Sequence, residues 1–182
     1  AMTEPAPGAG SDPAALATRA VPDGNGFVIS GTKWLITGAE GAAFSIIMAR
    51  TGEGPHDATM FLTKLPHPAF KIVRTLDTMD SSFMGGHAVV EIEGLRISGD
   101  DVLGEVGKGY KYAQVRLAPA RLTHCMRWLG MARRALEIAR PYVEERMNFG
   151  QLLKDHEGVQ WLLGDAAMAI EVGRLLTLKA AL

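Results

Sequence analysis

The sequence is poor in cysteine and aromatic residues, and neither sign of charge is in excess. Its single cysteine, Cys125, excludes a disulfide within the chain, and aromatic residues make up 7% of the 182 residues. No apolar run reaches the ~20 residues needed to span a bilayer, and no basic-then-apolar leader opens the chain. The net charge of −1 gives no electrostatic reason to expect nucleic acid or an anionic membrane surface as a partner. We therefore expect a soluble, intracellular protein, in a bacterial cytoplasm or an organelle matrix.

The residue types that most often carry catalysis are scattered. No two histidines stand at one-turn helical spacing, so no metal site is expected. His124 and Cys125 are adjacent and point to different sides of a helix, which favours a core cysteine over a nucleophile. Gly104–Gly109 lacks the spacing of a phosphate-binding loop and the Ser or Thr after its lysine, and it is interpreted as an interdomain linker.

Residues 1 to about 105 have the pattern of short strands separated by glycine- and proline-rich turns. Partial alternation of apolar and polar residues indicates half-buried strands. The predicted strands are 27–31, 44–50, 59–63, 70–74 and 88–97. Because no long helical stretch separates them, the pattern favours an antiparallel β-barrel or sandwich over a doubly wound parallel sheet.

From about residue 106 to 182 the apolar residues recur at helical spacing. One stripe follows three- and four-residue steps through Leu122, Met126, Leu129, Ala132, Leu136, Ala139, Val143 and Met147, with arginines mostly off it. Pro119 and Pro141 should each kink this helix or break it locally. A second helix is predicted to begin near Asp155 as N-cap. Its apolar side is predicted to hold Val159, Leu162, Ala166, Ala169, Ile170, Gly173 and Leu176.

Two antiparallel helices cannot bury both of their faces alone, so the pattern requires further helices or a second subunit. The chain also opens inside a loop and ends in strongly helical sequence with no stop signal. The expected fold class is therefore α+β and multidomain. It consists of a β-barrel domain at 1–105 and the first two long helices of a bundle at 106–182, in a chain truncated at both ends.

Three motifs in a fixed order carry the functional signal. They are Thr-Glu-Pro at 3–5 leading to Gly-Ala-Gly-Ser-Asp at 8–12, then Gly-Thr-Lys at 31–33 followed by an aromatic residue and Ile-Thr, then Glu-Arg-Met-Asn-Phe-Gly at 145–150. A flexible loop of small residues suits an anionic or heteroaromatic ligand, although alone it is a weak signal. In this order the motifs closely resemble the flavin domain and the Arg-x-x-Phe-Gly signature of acyl-CoA dehydrogenases. The segment 116–127 looks closest to the branch whose animal members carry a fused kinase-like domain.

The resemblance implies an FAD site. Met2 and Thr3 would bind the pyrimidine edge of the flavin, and Thr37 would place its hydroxyl by the reactive nitrogen. Arg146 and Asn148 would reach the FAD of a neighbouring subunit. The full set implied in cofactor binding is Met2, Thr3, Gly10, Ser11, Leu35, Ile36, Thr37, Arg146, Asn148, Phe149, His156 and Glu157, and the set implied in substrate binding is Ser11 and Arg121.

The implied activity is FAD-dependent dehydrogenation of an acyl-CoA thioester, as in fatty acid β-oxidation. A carboxylate base would remove the α proton and the β hydrogen would leave as hydride to the flavin. No catalytic base is visible, and Glu4 should not be given that role. The implied partners are acyl-CoA, an electron-transfer flavoprotein and a second copy of the chain, in a homodimer or homotetramer. The alternatives are an acyl-CoA oxidase or flavin monooxygenase-like relative, and a non-catalytic module that binds flavin or acyl-CoA.

Overall fold

The computed structural model describes residues 2–5, 8–79 and 85–182 and divides into two compact units between Gln114 and Val115. The first unit is built on a seven-stranded sheet, and the second consists of helices and a small hairpin. None of the helices in the described residues is long and apolar enough to cross a membrane.

The strands of the first unit form one mixed sheet. They are β1 (Arg19–Asp23), β2 (Gly26–Thr37), β3 (Phe44–Arg50), β4 (Ala58–Lys64), β5 (Phe70–Leu76), β6 (His87–Ser98) and β7 (Val102–Leu103). Their order is β5-β6-β2-β1-β3-β4-β7, and among the described residues the pairing is antiparallel except between β1 and β3. The two end strands do not pair with each other there, so the sheet is not closed by hydrogen bonds. The expected strand-rich domain, followed by two long helices, is confirmed.

Strand β1 was not predicted, because it contains Pro22 beside a strong turn signal. Proline cannot donate to a strand ladder and is confined to positions where no donor is needed. Here β1 pairs with β3 only at Arg19↔Arg50, so the side of the strand that faces β3 is unpaired at Pro22. The proline therefore fits at this end of the strand, which pairs with β2 alone.

The core of the first unit comes from alternate positions of the long strands. Ile29, Ile47, Phe61, Val90 and Leu95 are fully buried. Burying each such side chain contributes roughly 1.5–3 kcal/mol. This core fixes the central strands on which the candidate site is built.

The second unit contains a helical pair whose longer helix starts in the first unit. Helix α1 (Gly109–Glu145) is about 55 Å long at the standard rise, and α2 is Glu157–Ala181. Helix α1 is continuous through Pro119 and Pro141, so of the two predicted outcomes, a kink or a break, the break does not occur. Asp155 is not the N-cap of α2: it ends a 3-10 turn, and His156 takes the cap position without a side-chain capping bond.

The predicted stripe on α1 is largely confirmed, since Val143 is buried and Leu122, Leu129 and Leu136 are half-buried. On α2 the prediction is confirmed at Val159, Ala166, Ile170 and Gly173, which are half-buried. It is wrong at Leu162, Ala169 and Leu176, which are exposed, and Leu163 is half-buried instead. The two helices approach closely at Gly173, where an added Cβ would lie 2.8 Å from Leu129 Cδ2. Cys125 is exposed in this chain, so the expectation of a core cysteine is wrong.

Candidate cofactor site

The N-terminal segment lies beside strand β2 and is held there by Thr3. The Trp34 N–H donates to the Thr3 carbonyl at 2.9 Å. The Thr3 hydroxyl donates to the carbonyl of Trp34. Two hydrogen bonds therefore join Thr3 to Trp34 of β2, and the side chains of Thr3 and Met2 are exposed.

Next to this contact lies a buried ion pair. Lys33 Nζ donates to Glu4 Oε1 at 2.8 Å, and the side chains are 0% and 3% exposed. Burial on its own would raise the pKa of Glu4, but the hydrogen bond and charge of Lys33, together with donors from Thr18 and Ala17, hold that pKa below its ordinary value. Burial lowers the pKa of Lys33 despite the opposing effect of Glu4. Since its carboxylate is committed to these bonds, Glu4 is not available as a base.

Strand β2 is distorted immediately after Lys33. The register with β6 shifts between Lys33 and Ile36, and Leu35 adopts a φ of +57°. Bulges of this kind re-aim side chains, and a non-glycine residue at positive φ costs of order 1–3 kcal/mol. Leu35 is 46% exposed, while Trp34 lies under the guanidinium of Arg74 at 5.5 Å from the ring centroid. The bulge therefore presents Leu35, and not the indole, as the more exposed apolar surface.

Thr37 ends β2 opposite His87, the first residue of β6. The Thr37 hydroxyl lies 2.8 Å from His87 Nδ1. The Thr37 side chain is exposed, whereas Ile36 beside it packs partly against the core. Thr37 is thus a surface hydroxyl whose orientation is set from the neighbouring strand.

The loop with small residues is described from Gly8 to Leu16. Gly10 has a φ of +51°, a conformation that glycine adopts without a steric penalty. Asp12 caps the short 3-10 turn that follows by accepting from the Ala14 N–H at 2.9 Å, while Ser11 is exposed. The loop is tied to β3 by Arg50, whose Nε donates to the Leu16 carbonyl at 2.9 Å. An exposed hydroxyl is therefore carried on a loop that is anchored at its end.

In the second unit most of the predicted residues lie on or beside a hairpin. Strands β8 (Met147–Asn148) and β9 (Gln151–Leu152) are joined by Phe149 and Gly150, both at positive φ, +47° and +79°. This is the backbone of a tight two-residue turn. The Phe149 side chain is 92% exposed at the tip.

His156 braces the same hairpin from the start of α2. Its Nε2 lies 3.2 Å from the Asn148 carbonyl, and its Nδ1 lies 3.0 Å from Gln151 Nε2. Arg146 and Glu157 flank the hairpin with exposed side chains, and Arg121 is exposed on α1. The predicted residues of the second unit, apart from Arg121, therefore lie on or beside one hairpin, and those of the first unit lie at β2 and the N-terminal loop.

The side chains of each group can be compared with the FAD site that the sequence resemblance implies. The first offers the hydroxyls of Thr3, Ser11 and Thr37, and Leu35 as an apolar neighbour, which suits a heteroaromatic edge and a phosphate. The second offers a permanently charged guanidinium, which suits phosphate oxygens, and an aromatic ring. Both non-glycine residues at positive φ among the described residues, Leu35 and Phe149, belong to the predicted set. Such strain is found at binding sites more often than elsewhere.

Sequence reasoning missed several residues that shape the first group. Lys33 was noted only as part of a motif, and His87 only as one of five scattered histidines. The signal for Lys33 was its spacing of four residues from Ile29, which places both on the inward face if the strand continues, where a lysine needs an acidic partner. For His87, a predicted strand pairing with Thr37 would have been needed.

Comparison with known proteins gives matches along the chain. Residues 1–92 match the family described as acyl-CoA dehydrogenase, middle domain, and residues 107–182 match acyl-CoA dehydrogenase, C-terminal domain. The bovine mitochondrial short-chain specific acyl-CoA dehydrogenase is 37% identical over 97% of this chain and 43% of its own length. Acyl-CoA dehydrogenase family member 11 of Gallus gallus is 34% identical over 99% of this chain and 24% of its own.

Among solved structures, a putative acyl-CoA dehydrogenase from Mycobacterium abscessus has a TM-score of 0.88 and 36% identity. The match covers 99% of this chain and 46% of that one. The chain thus spans less than half the length of each of these three proteins.

Proposed function

Because the chain belongs to the acyl-CoA dehydrogenase family, we propose that it forms the flavin-binding part of an FAD-dependent enzyme that introduces an α,β double bond into an acyl-CoA thioester. The observation that carries the proposal is the arrangement at the end of β2. There Thr3 anchors the N-terminal segment, Leu35 is an exposed apolar residue at positive φ, and Thr37 has a hydroxyl oriented by a hydrogen bond. Bound FAD supplies the two-electron acceptor of the reaction.

The roles proposed for this chain's residues are binding and orientation. Thr3 and the neighbouring Met2 hold the pyrimidine edge of the flavin, and Leu35 covers the ring. The Thr37 hydroxyl offers a hydrogen bond at the reactive edge, and a donor or acceptor placed in advance costs no reorganisation during the reaction. Ser11 is proposed to contact the diphosphate of FAD or the acyl-CoA, and Arg121 is proposed to lie close to the acyl-CoA.

The hairpin of the second unit is proposed to serve the FAD of a neighbouring subunit. Arg146 and Asn148 bind phosphate or ribose there, and Phe149, with His156 and Glu157, packs at the adenine end. The Phe149 ring is 92% exposed at the strained hairpin tip, so among the described residues nothing covers it and it is available for a contact with the cofactor. The protein is therefore proposed to be a homodimer or homotetramer.

We propose no catalytic base among the described residues. The base would be a carboxylate elsewhere in the full-length enzyme, and electrons would pass to an electron-transfer flavoprotein. The proposed compartment is aqueous, a bacterial cytoplasm or an organelle matrix.

The test is the visible spectrum of the purified full-length protein. We expect flavin bands that bleach when a matching acyl-CoA from a chain-length panel is added under anaerobic conditions. A colourless protein that does not take up added FAD would contradict the proposal. Bleaching followed by rapid reoxidation in air would identify an oxidase instead, and a bound flavin that no thioester bleaches would identify a binding module.

A further inference from the structure

We infer that Glu4 and Lys33 form the positioning pair of the cofactor site: their buried contact sets the place of Thr3 and of the loop with Ser11 relative to β2. The inference rests on the proposed function, because it concerns how the proposed flavin contacts are held. Both side chains are buried, so neither is proposed to touch the cofactor. Both act through their neighbours in sequence.

The contacts of the pair join four segments of the chain at one point. Lys33 Nζ, on β2, donates to Glu4 Oε1 at 2.8 Å and to the Met48 carbonyl of β3 at 2.7 Å. The two oxygens of Glu4 also accept from the main-chain N–H groups of Ala17, at 2.6 Å, and Thr18, at 2.9 Å. The N-terminal segment, the lead into β1, β2 and β3 are therefore linked through one carboxylate and one ammonium group.

The place of the pair in the sequence decides what it positions. Glu4 directly follows Thr3, and Lys33 directly precedes Trp34, the residue whose main chain binds Thr3. A shift of one residue along this pairing would separate the two charges inside the protein. Because an unpaired buried charge is costly, the ion pair fixes the register of Thr3 against the bulge at Leu35.

The same carboxylate closes the loop that carries Ser11. Glu4 lies before the loop and the amides of Ala17 and Thr18 lie after it, so its bonds hold the two ends of the loop together. Arg50 supports the closing end through the Leu16 carbonyl. The pair thus connects the two proposed contact points, Thr3 and Ser11.

Stability alone is a weak reason for such a pair. Replacing a buried ion pair by neutral groups of similar volume is often neutral or stabilising, whereas removing one partner leaves an uncompensated charge. The exposed pair Lys71–Glu93 on the same sheet would serve stability at a lower desolvation cost. A buried pair beside a cofactor site is therefore better explained by the position it imposes.

The experiment compares Lys33→Met, Glu4→Gln and the double variant in the full-length protein, with Lys71→Met as the matched control. The readouts are FAD affinity by fluorescence titration, the visible circular dichroism of bound flavin, the flavin reduction potential and thermal unfolding. We expect at least a tenfold loss of FAD affinity and a changed flavin dichroism in both single variants. The double variant should recover thermal stability without recovering affinity or dichroism, and Lys71→Met should leave all readouts unchanged.

The results separate this inference from the proposed function. Wild-type protein that binds no FAD overturns both. Wild-type protein that binds FAD, together with a folded double variant of unchanged affinity, dichroism and potential, overturns only the positioning role. If the single variants fail to fold, the double variant decides, because it contains no unpaired buried charge.

Discussion

The hydroxyl of Thr37 lies 2.8 Å from Nδ1 of His87, directly across the pairing of β2 and β6. A hydroxyl has one hydrogen to donate, so the hydrogen bond with the imidazole fixes whether Thr37 offers a donor or an acceptor to a ligand. His87 therefore helps to define what the proposed flavin edge meets at this position.

Replacing Thr37 by valine should slow flavin reduction more than it weakens acyl-CoA binding. Valine keeps the volume and branching of threonine but removes the hydroxyl, so the lost interaction is one proposed to matter at the reacting edge. We expect at least a tenfold lower rate of reduction, about 1.4 kcal/mol of activation free energy, in anaerobic stopped-flow measurements.

Thr75→Val on β5, which lies on the far side of β6 from β2, is the control, because its side chain is exposed and it carries no proposed role. A Thr37→Val enzyme that is reduced at the wild-type rate would remove Thr37 from the mechanism.

Phe149→Gly should separate stability from cofactor binding. The residue has a φ of +47° and is 92% exposed, so glycine relieves strain and loses little packing within the chain. We expect the unfolding free energy of the FAD-free protein to stay the same or rise by about 1 kcal/mol. FAD affinity should fall about tenfold, because the ring is proposed to pack against the cofactor of the next subunit.

Phe149→Asn is the companion variant, because asparagine also tolerates positive φ but lacks the ring. If both variants retain wild-type FAD affinity, the proposed role of the ring is wrong.

The sequence predicted elements that depend on local pattern and missed those that depend on tertiary pairing. Strand β3 was found at the predicted bounds, 44–50, because its apolar run ends at clear turn residues. The inward side of α2 was misplaced by one residue at Leu163, since a helix rich in leucine and alanine has a broad apolar face. Cys125 was expected in the core, but it is exposed, because the burial of a helical residue depends on which helix face packs and not on the residue type.

The candidate site shows the same division. Motif residues such as Thr3, Leu35 and Phe149 could be named from the sequence. The Glu4–Lys33 pair joins residues 29 positions apart, and the pairing of Thr37 with His87 spans 50. Local propensity does not reveal such partners.

Acid should destabilise the protein through Glu4. Its pKa is lowered in the folded state by Lys33 and the two amides, which outweigh the opposing effect of burial, so the unfolded chain takes up the proton first as pH falls. The stabilisation is complete above the ordinary pKa of 4.5 and is lost as pH falls from there through the lower native value. In chemical unfolding experiments between pH 7 and pH 3, the free energy of unfolding should therefore fall with decreasing pH, and it should fall less steeply in Glu4→Gln than in the wild type.

The same variant should already be less stable at pH 7, by about 3–5 kcal/mol, because Lys33 is left buried without its counter-charge. Glu93→Gln, in an exposed pair with Lys71, is the control and should change stability by less than about 1 kcal/mol. If the free energy of unfolding falls equally steeply with decreasing pH in the wild type and in Glu4→Gln, other carboxylates dominate the acid destabilisation.

Arg146→Ala should release FAD and weaken the oligomer together. Two hydrogen bonds hold the main chain of Arg146. Its N–H donates to the Tyr142 carbonyl at 2.9 Å, and its carbonyl accepts from the Leu153 N–H at 2.8 Å. Its exposed side chain makes no hydrogen bond or ion pair among the described residues, so alanine should not disturb the local fold. Arg140→Ala on α1 is the control for loss of one exposed charge. In sedimentation velocity with absorbance at the flavin band, we expect only Arg146→Ala to shift toward smaller, colourless species, since one guanidinium is proposed to bind a cofactor held by the neighbouring subunit. Loss of flavin with an unchanged sedimentation profile would place the arginine on the FAD of its own subunit.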